Sequence, residues 1–212
     1  ETYARTEADR DVIAGHFAAR DAAERRHFGE PAARVIPPHV VHRTVGAGEI
    51  NEPSEVARMR RTAPDVVLVY GTGLLREGII SAFDGRIINI HLGLSPHYRG
   101  SGTNFWPLVN REPECVGATI HVLDAGIDTG PIIVQVRPDI AADDGPHDIG
   151  NTAIRCAAQA LVAAAEAFVR RGVRSTRQED KGRLYQRKDF SAGAVRRLCE
   201  NKEEYAVDKA TR

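Results

Sequence analysis

The sequence predicts a single α/β domain whose mostly parallel sheet is covered by helices on both sides. Two apolar, β-branched runs, 66–70 and 86–90, read as strands buried on both faces of a parallel sheet. The segment between them, 74–82, reads as a short helix or helical turn, and strand, helix and strand at this spacing make a βαβ unit. A long alanine-rich stretch, 148–170, reads as a helix stopped at Arg171-Gly172.

The remaining elements follow in order. Residues 7–28 place Val12, Ile13, His16, Phe17 and Phe28 near helical spacing amid alanines and charges, a surface helix ending at Gly29. The short run 33–36 stops at Pro37-Pro38, and 40–45 reads as extended. Glu52-Pro53 opens a helix, because proline is tolerated in a first turn. Asp84-Gly85 is a turn, 105–109 begins a helical segment, and 115–123 and 131–136 are strands, the first with Gly117 inside it. Beyond the long helix lie a polar link at 177–180, an extended piece at 182–185 and a small helix at 192–201. This tail is too short and too charged for a second independent domain, so the division is 1–172 for the main domain and 173–212 for a short C-terminal appendage.

Composition narrows the function classes. Lys and Arg total 29 and so do Asp and Glu, so no global charge argues for nucleic acid or a lipid surface, and neither partner is expected. Cys115, Cys156 and Cys199 are far apart, odd in number and in no zinc or redox spacing, which reads as reduced thiols. No apolar run approaches bilayer length and the start, from Glu1, is no signal peptide, so the cytoplasm is the expected location. His39 and His42 lack partners in a metal spacing, and no metal is expected.

Chemistry concentrates where the second strand ends. Asn89 and His91 are two residues apart, so on a continuing strand their side chains point the same way. In open sheets ligands sit beyond the carboxyl ends of strands, which brings together 71–75, 89–93 and the loop before Pro131. That loop supplies Asp128. Taken singly, a strand-end histidine satisfied by backbone, a turn amide and an Asp-x-Gly turn cap are equally good readings. Taken together, the amide donates to an oxygen that turns negative, and the carboxylate orients the imidazole and keeps it charged. His121, on the strand leading to the aspartate, either lines the cleft or packs beneath it, and His97 is placed at the cleft. Gly71-Thr72-Gly73 lacks the fingerprint of a dinucleotide site.

The stretch Asn89-Ile90-His91 with Pro96 and Arg99-Gly100, followed by Asp124-Ala125-Gly126-Ile127-Asp128-Thr129-Gly130, resembles the folate-dependent formyltransferases. That family includes the glycinamide ribonucleotide, methionyl-tRNA and nucleotide-sugar amine enzymes. The likeness covers about 64–136 and implies a Rossmann-like, three-layer formyltransferase domain with Asn89, His91 and Asp128 as its catalytic set. It implies transfer of a formyl group from N10-formyltetrahydrofolate to a primary amine of a small molecule, with a nucleotide-linked amino sugar the preferred acceptor. Tyr70, Gly71, Thr72, Gly73, Leu74 and Leu75, with Ile79 and Asp124, fall in the folate pocket on this reading. His97, Tyr98, Arg99, Asn104 and Trp106 fall on the acceptor side. A homodimer is compatible with the family. Leu92, Gly93 and Ser95 depart from the residues common there, and the family's first strand is not legible before residue 35. If that strand is missing, the sheet has an exposed edge. Formyltetrahydrofolate hydrolysis and a non-catalytic folate-binding module are the alternatives.

Overall fold

The computed structural model describes residues 6–30, 36–141 and 143–201. Helix α1 spans Glu7–Phe28, its first turn capped by the Thr6 hydroxyl accepting from Asp9 N–H, and it stops at Gly29. There follow α2 (Pro53–Arg61), β1 (Val67–Tyr70), α3 (Glu77–Ala82) and β2 (Ile87–His91). A short strand β3 (Tyr98–Gly100) and α4 (Trp106–Val109) precede β4 (Ala118–Val122) and β5 (Ile132–Val136). The long helix α5 (Pro146–Arg171) then leads to β6 (Arg183–Tyr185) and α6 (Ala192–Glu200).

The main sheet has the order β1-β2-β4-β5. The expected βαβ unit is present, with β1 and β2 parallel and Val69 opposite Asn89. β2/β4 and β4/β5 are antiparallel, so among the described residues the sheet is mixed, with β1/β2 as its parallel pair. The chain between β4 and β5 holds no helix to serve as a crossover, and a direct return of that kind pairs antiparallel.

Burial is divided by the strand period. Ile88, Ile90, Ala118 and Ile120 face α5, whose Ala157 and Ala164 allow close approach. By length and composition α5 is apolar enough to cross a bilayer, more so than expected, but here it lies across β2, β4 and β5. On the opposite face Val69, Ile79, Phe83 and Ile87 pack with Val56 and Met59 of α2. A third cluster joins Tyr98, Trp106, Leu108, Val109 and Ile149 to Ala194 and Leu198 of α6. The segment beyond 172 therefore shares a core with the rest, and β6 pairs in parallel with β3.

Several local expectations change. β1 is not buried on both faces: Val69 is 6% exposed, but Leu68 and Tyr70 are 44% and 47% exposed. Among the described residues it is an edge strand, and α5 covers its neighbours instead. Residues 40–45 join no sheet, and Val41 is almost wholly exposed. Of the run 33–36, only Ile36 is among the described residues. The helix after β1 begins at Glu77, not at 74, because the Asn51 amide captures the backbone there. It donates to Leu74 O at 3.0 Å and accepts from Arg76 N–H at 2.7 Å. Residues 113–115 form a 3-10 turn, so β4 starts only at Ala118.

Gly100 joins the two sheet systems. Its φ of 91° is unfavourable for any side chain, and a Cβ there would overlap the Tyr185 carbonyl across the β3/β6 pair. Gly100→Ala should destabilise the protein by at least about 2 kcal/mol, from left-handed strain plus the clash. Urea unfolding checks this, and a midpoint equal to that of the wild type would refute the close approach.

Candidate active site

The carboxyl end of β2 carries the site. Because Ile88 and Ile90 are committed to α5, Asn89 and His91 project from the opposite face. Asn89 is paired directly with His121 of β4, and its Nδ2 lies 3.0 Å from His121 Nε2. The other ring nitrogen, Nδ1, is 3.0 Å from Val122 O, a carbonyl that can only accept. His121 Nδ1 therefore carries a proton, and Nε2 meets the Asn89 amide.

His91 is 4% exposed and makes two contacts. Its Nε2 lies 2.8 Å from Tyr98 O and its Nδ1 3.2 Å from Asp128 Oδ2. That same carboxylate oxygen accepts Gly100 N–H at 2.9 Å. Oδ1 is 3.7 Å from His121 Nε2, an electrostatic contact too long for a hydrogen bond. Asp128 therefore stands between both imidazoles.

The aspartate loop is fixed from within and without. Asp124 Oδ1 accepts Gly126 N–H at 3.0 Å and the Thr129 hydroxyl at 2.8 Å. At Gly130 a side chain would collide with the Val122 carbonyl. Asp128 adopts a φ of 52°, left-handed for a residue with a Cβ. From outside, Arg99 Nη1 donates to Ile127 O at 3.2 Å, and the Gln178 amide donates to the carbonyls of Asp128 and Gly130.

Burial opposes charge on Asp128, but the imidazoles of His121 and His91 and the Gly100 N–H together hold its carboxyl below the ordinary aspartate value. For His91 burial is the largest effect and lowers the pKa, with His121 and Arg99 adding to it. Asp128 and the Tyr98 carbonyl work the other way and do not win. Burial thus lowers the His91 pKa below the ordinary histidine value. Both ring nitrogens nevertheless face acceptors, so a proton taken up by the ring is held at both ends.

Next to these groups opens a cavity of about 590 Å³, within the range of small-ligand sites. Its walls include Asn89, His91 and Asp128, the loop Tyr70, Gly71, Thr72, Gly73, Leu74 and Leu75, and Asn104. Other residues assigned from sequence lie elsewhere. Ile79 is 1% exposed in the core with Phe83 and Ile87, because α3 turns it inward. Asp124 spends its carboxylate on its own loop. His97 is exposed and does not line the cavity. Tyr98 is fully buried, its hydroxyl donating to Glu112 at 2.6 Å. Arg99 is buried behind the aspartate loop, and Trp106 stacks on Tyr185 with its ring centroid 4.4 Å away. Asn51, which shapes the loop after β1, and Gln178 carry no sequence signal beyond being amides in polar segments. Among the described residues no group of three or more His, Cys, Asp or Glu is arranged to hold a metal ion.

Formyltransferases are among the proteins that this chain resembles in sequence and in fold. The methionyl-tRNA formyltransferases of Geobacter sulfurreducens and Geobacter metallireducens are 32% and 35% identical over 114 and 102 residues, covering 53% and 48% of this chain and 36% and 32% of theirs. The chain spans about a third of the length of the curated relatives it matches. A sugar N-formyltransferase from a Shewanella species has the same fold, with a TM-score of 0.58 and 24% identity over 66% of this chain and 56% of its own. So has a formyltransferase from Anoxybacillus kamchatkensis, solved with UDP-4,6-dideoxy-4-formamido-L-AltNAc and tetrahydrofolate, at a TM-score of 0.54 and 24% identity over 62% of this chain and 76% of its own. A glycinamide ribonucleotide transformylase from Symbiobacterium toebii gives a TM-score of 0.51 at 27% identity, over 58% of this chain and 61% of its own. The formyl transferase family profile matches residues 11–165, most of this sequence, and the chain belongs to that family.

Proposed function

We propose that this protein transfers the formyl group of N10-formyltetrahydrofolate to a primary amine of a small molecule in the cytoplasm. The observation that carries this reading is the convergence of Asn89, His91 and Asp128 on one wall of a single cavity. The backbone-rich loop 71–75 on the same cavity suits the heteroatoms of a pterin, and tetrahydrofolate is present in the Anoxybacillus complex. The acceptor class we favour is a nucleotide-linked amino sugar. The Anoxybacillus protein is solved with a UDP-linked formamido sugar, and here Asn104 and Phe105 place an amide and a ring on the cavity wall.

In this mechanism the free amine attacks the formyl carbon, and the carbonyl oxygen becomes an oxyanion that the Asn89 amide meets. Asp128, on the cavity wall, relays the proton released by the amine to neutral His91, and its carboxylate and the Tyr98 carbonyl hold the resulting imidazolium at both ring nitrogens. As the carbon–N10 bond breaks, that proton passes to N10. The products are the formamide and tetrahydrofolate, and His91 is neutral again.

Asn89→Ala should lower kcat by about a hundredfold or more, on the order of 3 kcal/mol, with little change in KM for the folate. Product mass after incubation with N10-formyltetrahydrofolate and a panel of nucleotide amino sugars, glycinamide ribonucleotide and ornithine-like amines identifies the acceptor. A formyl gain on an amine supports transfer, whereas formate release without any amine would point to hydrolysis.

The pH dependence follows from the neutral ring. Activity should rise with pH through the His91 pKa, which lies below the ordinary histidine value. The Asp128 charge favours the imidazolium and so raises that pKa, so Asp128→Asn must lower it further. The acid limb of kcat should therefore move to lower pH while the plateau falls by about a hundredfold. An unmoved limb in Asp128→Asn, with chemistry shown to be rate-limiting, would refute the coupling of these two groups.

A further inference from the structure

The tail beyond α5 returns to the sheet and reaches the aspartate loop. Thr176 and Ile132 exchange two backbone hydrogen bonds of 2.8 Å, an antiparallel bridge that sets Thr176 beside the first residue of β5. Two residues later Gln178 stands beside the loop, and its Nε2 is 3.0 Å from Asp128 O and 2.7 Å from Gly130 O. Both neighbours are carbonyls, so only the NH2 end of the amide fits there, and it spends both hydrogens on them. The two bonds bracket Thr129 and the left-handed turn that aims the Asp128 carboxylate. A non-glycine residue in that conformation depends on its surroundings to hold it.

We propose that Gln178 is a positioning residue for Asp128. It clamps the carbonyls on either side of the turn and so fixes the distance between the carboxylate and His91. The inference rests on the reading of Asp128 as the group that supports the His91 proton. It makes the segment after 172 part of the catalytic apparatus rather than an attachment to it.

The groups that bear on this pair are few. His91 faces Asp128, with His121 and Arg99 as the other ionisable neighbours, and Asp128 faces His91 and His121. Arg177 and Glu179, on either side of Gln178, are exposed. A change of the Gln178 amide alone therefore acts on His91 chiefly through the placement of the carboxylate.

The test is a double-mutant cycle of Gln178→Met, which keeps the length and removes both donors, with Asp128→Asn. Gln178→Met should lower kcat by about tenfold to a hundredfold, leave KM for N10-formyltetrahydrofolate within about twofold, and move the acid limb of kcat to lower pH, as Asp128→Asn does. The double variant should be no slower than Asp128→Asn alone. Gln178→Asn keeps the donors on a shorter arm and should fall between Gln178→Met and the wild type, and thermal unfolding of each variant shows that the fold is retained. Unchanged kcat in Gln178→Met, an unmoved acid limb, or additive losses in the double variant would each overturn the proposal. An Asp128→Asn variant as active as the wild type would instead overturn the role of Asp128 itself.

Discussion

Everything at the site depends on the two-sided burial of β2. Ile88 is fully buried against α5 and Ile87 is 1% exposed against α3, so the strand cannot rotate or slip without moving apolar side chains out of their cores. A slip of one residue would exchange the two faces and turn Asn89 and His91 into the core under α5. Each fully buried aliphatic side chain contributes roughly 1.5–3 kcal/mol, so the register is held by several such contributions at once. Pairing with β4 then sets His121 opposite Asn89, and the amide is oriented by a ring that is itself tied to its neighbour's carbonyl.

The same burial sets the electrostatics. Removing His91 and Asp128 from water disfavours charge on both, and the two respond differently. Asp128 has two imidazoles and an N–H donor around it and remains ionised. His91 has a carboxylate and a carbonyl, yet desolvation prevails and its pKa falls below the ordinary histidine value. This combination suits a transient proton site. The acceptors that stabilise a charged ring are already in place at both nitrogens, so protonation of His91 needs little reorganisation.

The legible parts of the sequence were those set by local period and local chemistry. β2, α5 and the Asn-x-His pair follow from strand alternation and helix spacing, which need no knowledge of neighbours. The exposed face of β1 does not, because Val67–Tyr70 has the composition of a central strand and only the sheet order makes it an edge. Ile79, Tyr98 and Trp106 are assigned to pocket walls from the resemblance, and packing places all three in the core. Asn51 and Gln178 were illegible for another reason. Their bonds run from side chain to distant backbone, at separations of 23 to 25 and 48 to 50 residues, and such contacts leave no periodic trace.

The two acceptors on the His91 ring share a dependence on the tail. Asp128 is held through the carbonyls that Gln178 bonds. Tyr98, whose carbonyl meets His91 Nε2, is held by β6: Arg183 N–H donates to His97 O at 2.9 Å, and Tyr185 stacks on the Tyr98 ring at 5.8 Å between centroids. Arg183 also donates to the Tyr98 hydroxyl at 3.0 Å and pairs with Glu112. The proton affinity of a residue on the central sheet is thus adjusted from two points on a segment that follows the last helix of the sheet. Loosening that segment at either point would move one acceptor away from the ring and lower its affinity for a proton. The tail and the sheet therefore act as one structural unit in this chemistry, although the sequence separates them by the whole length of α5.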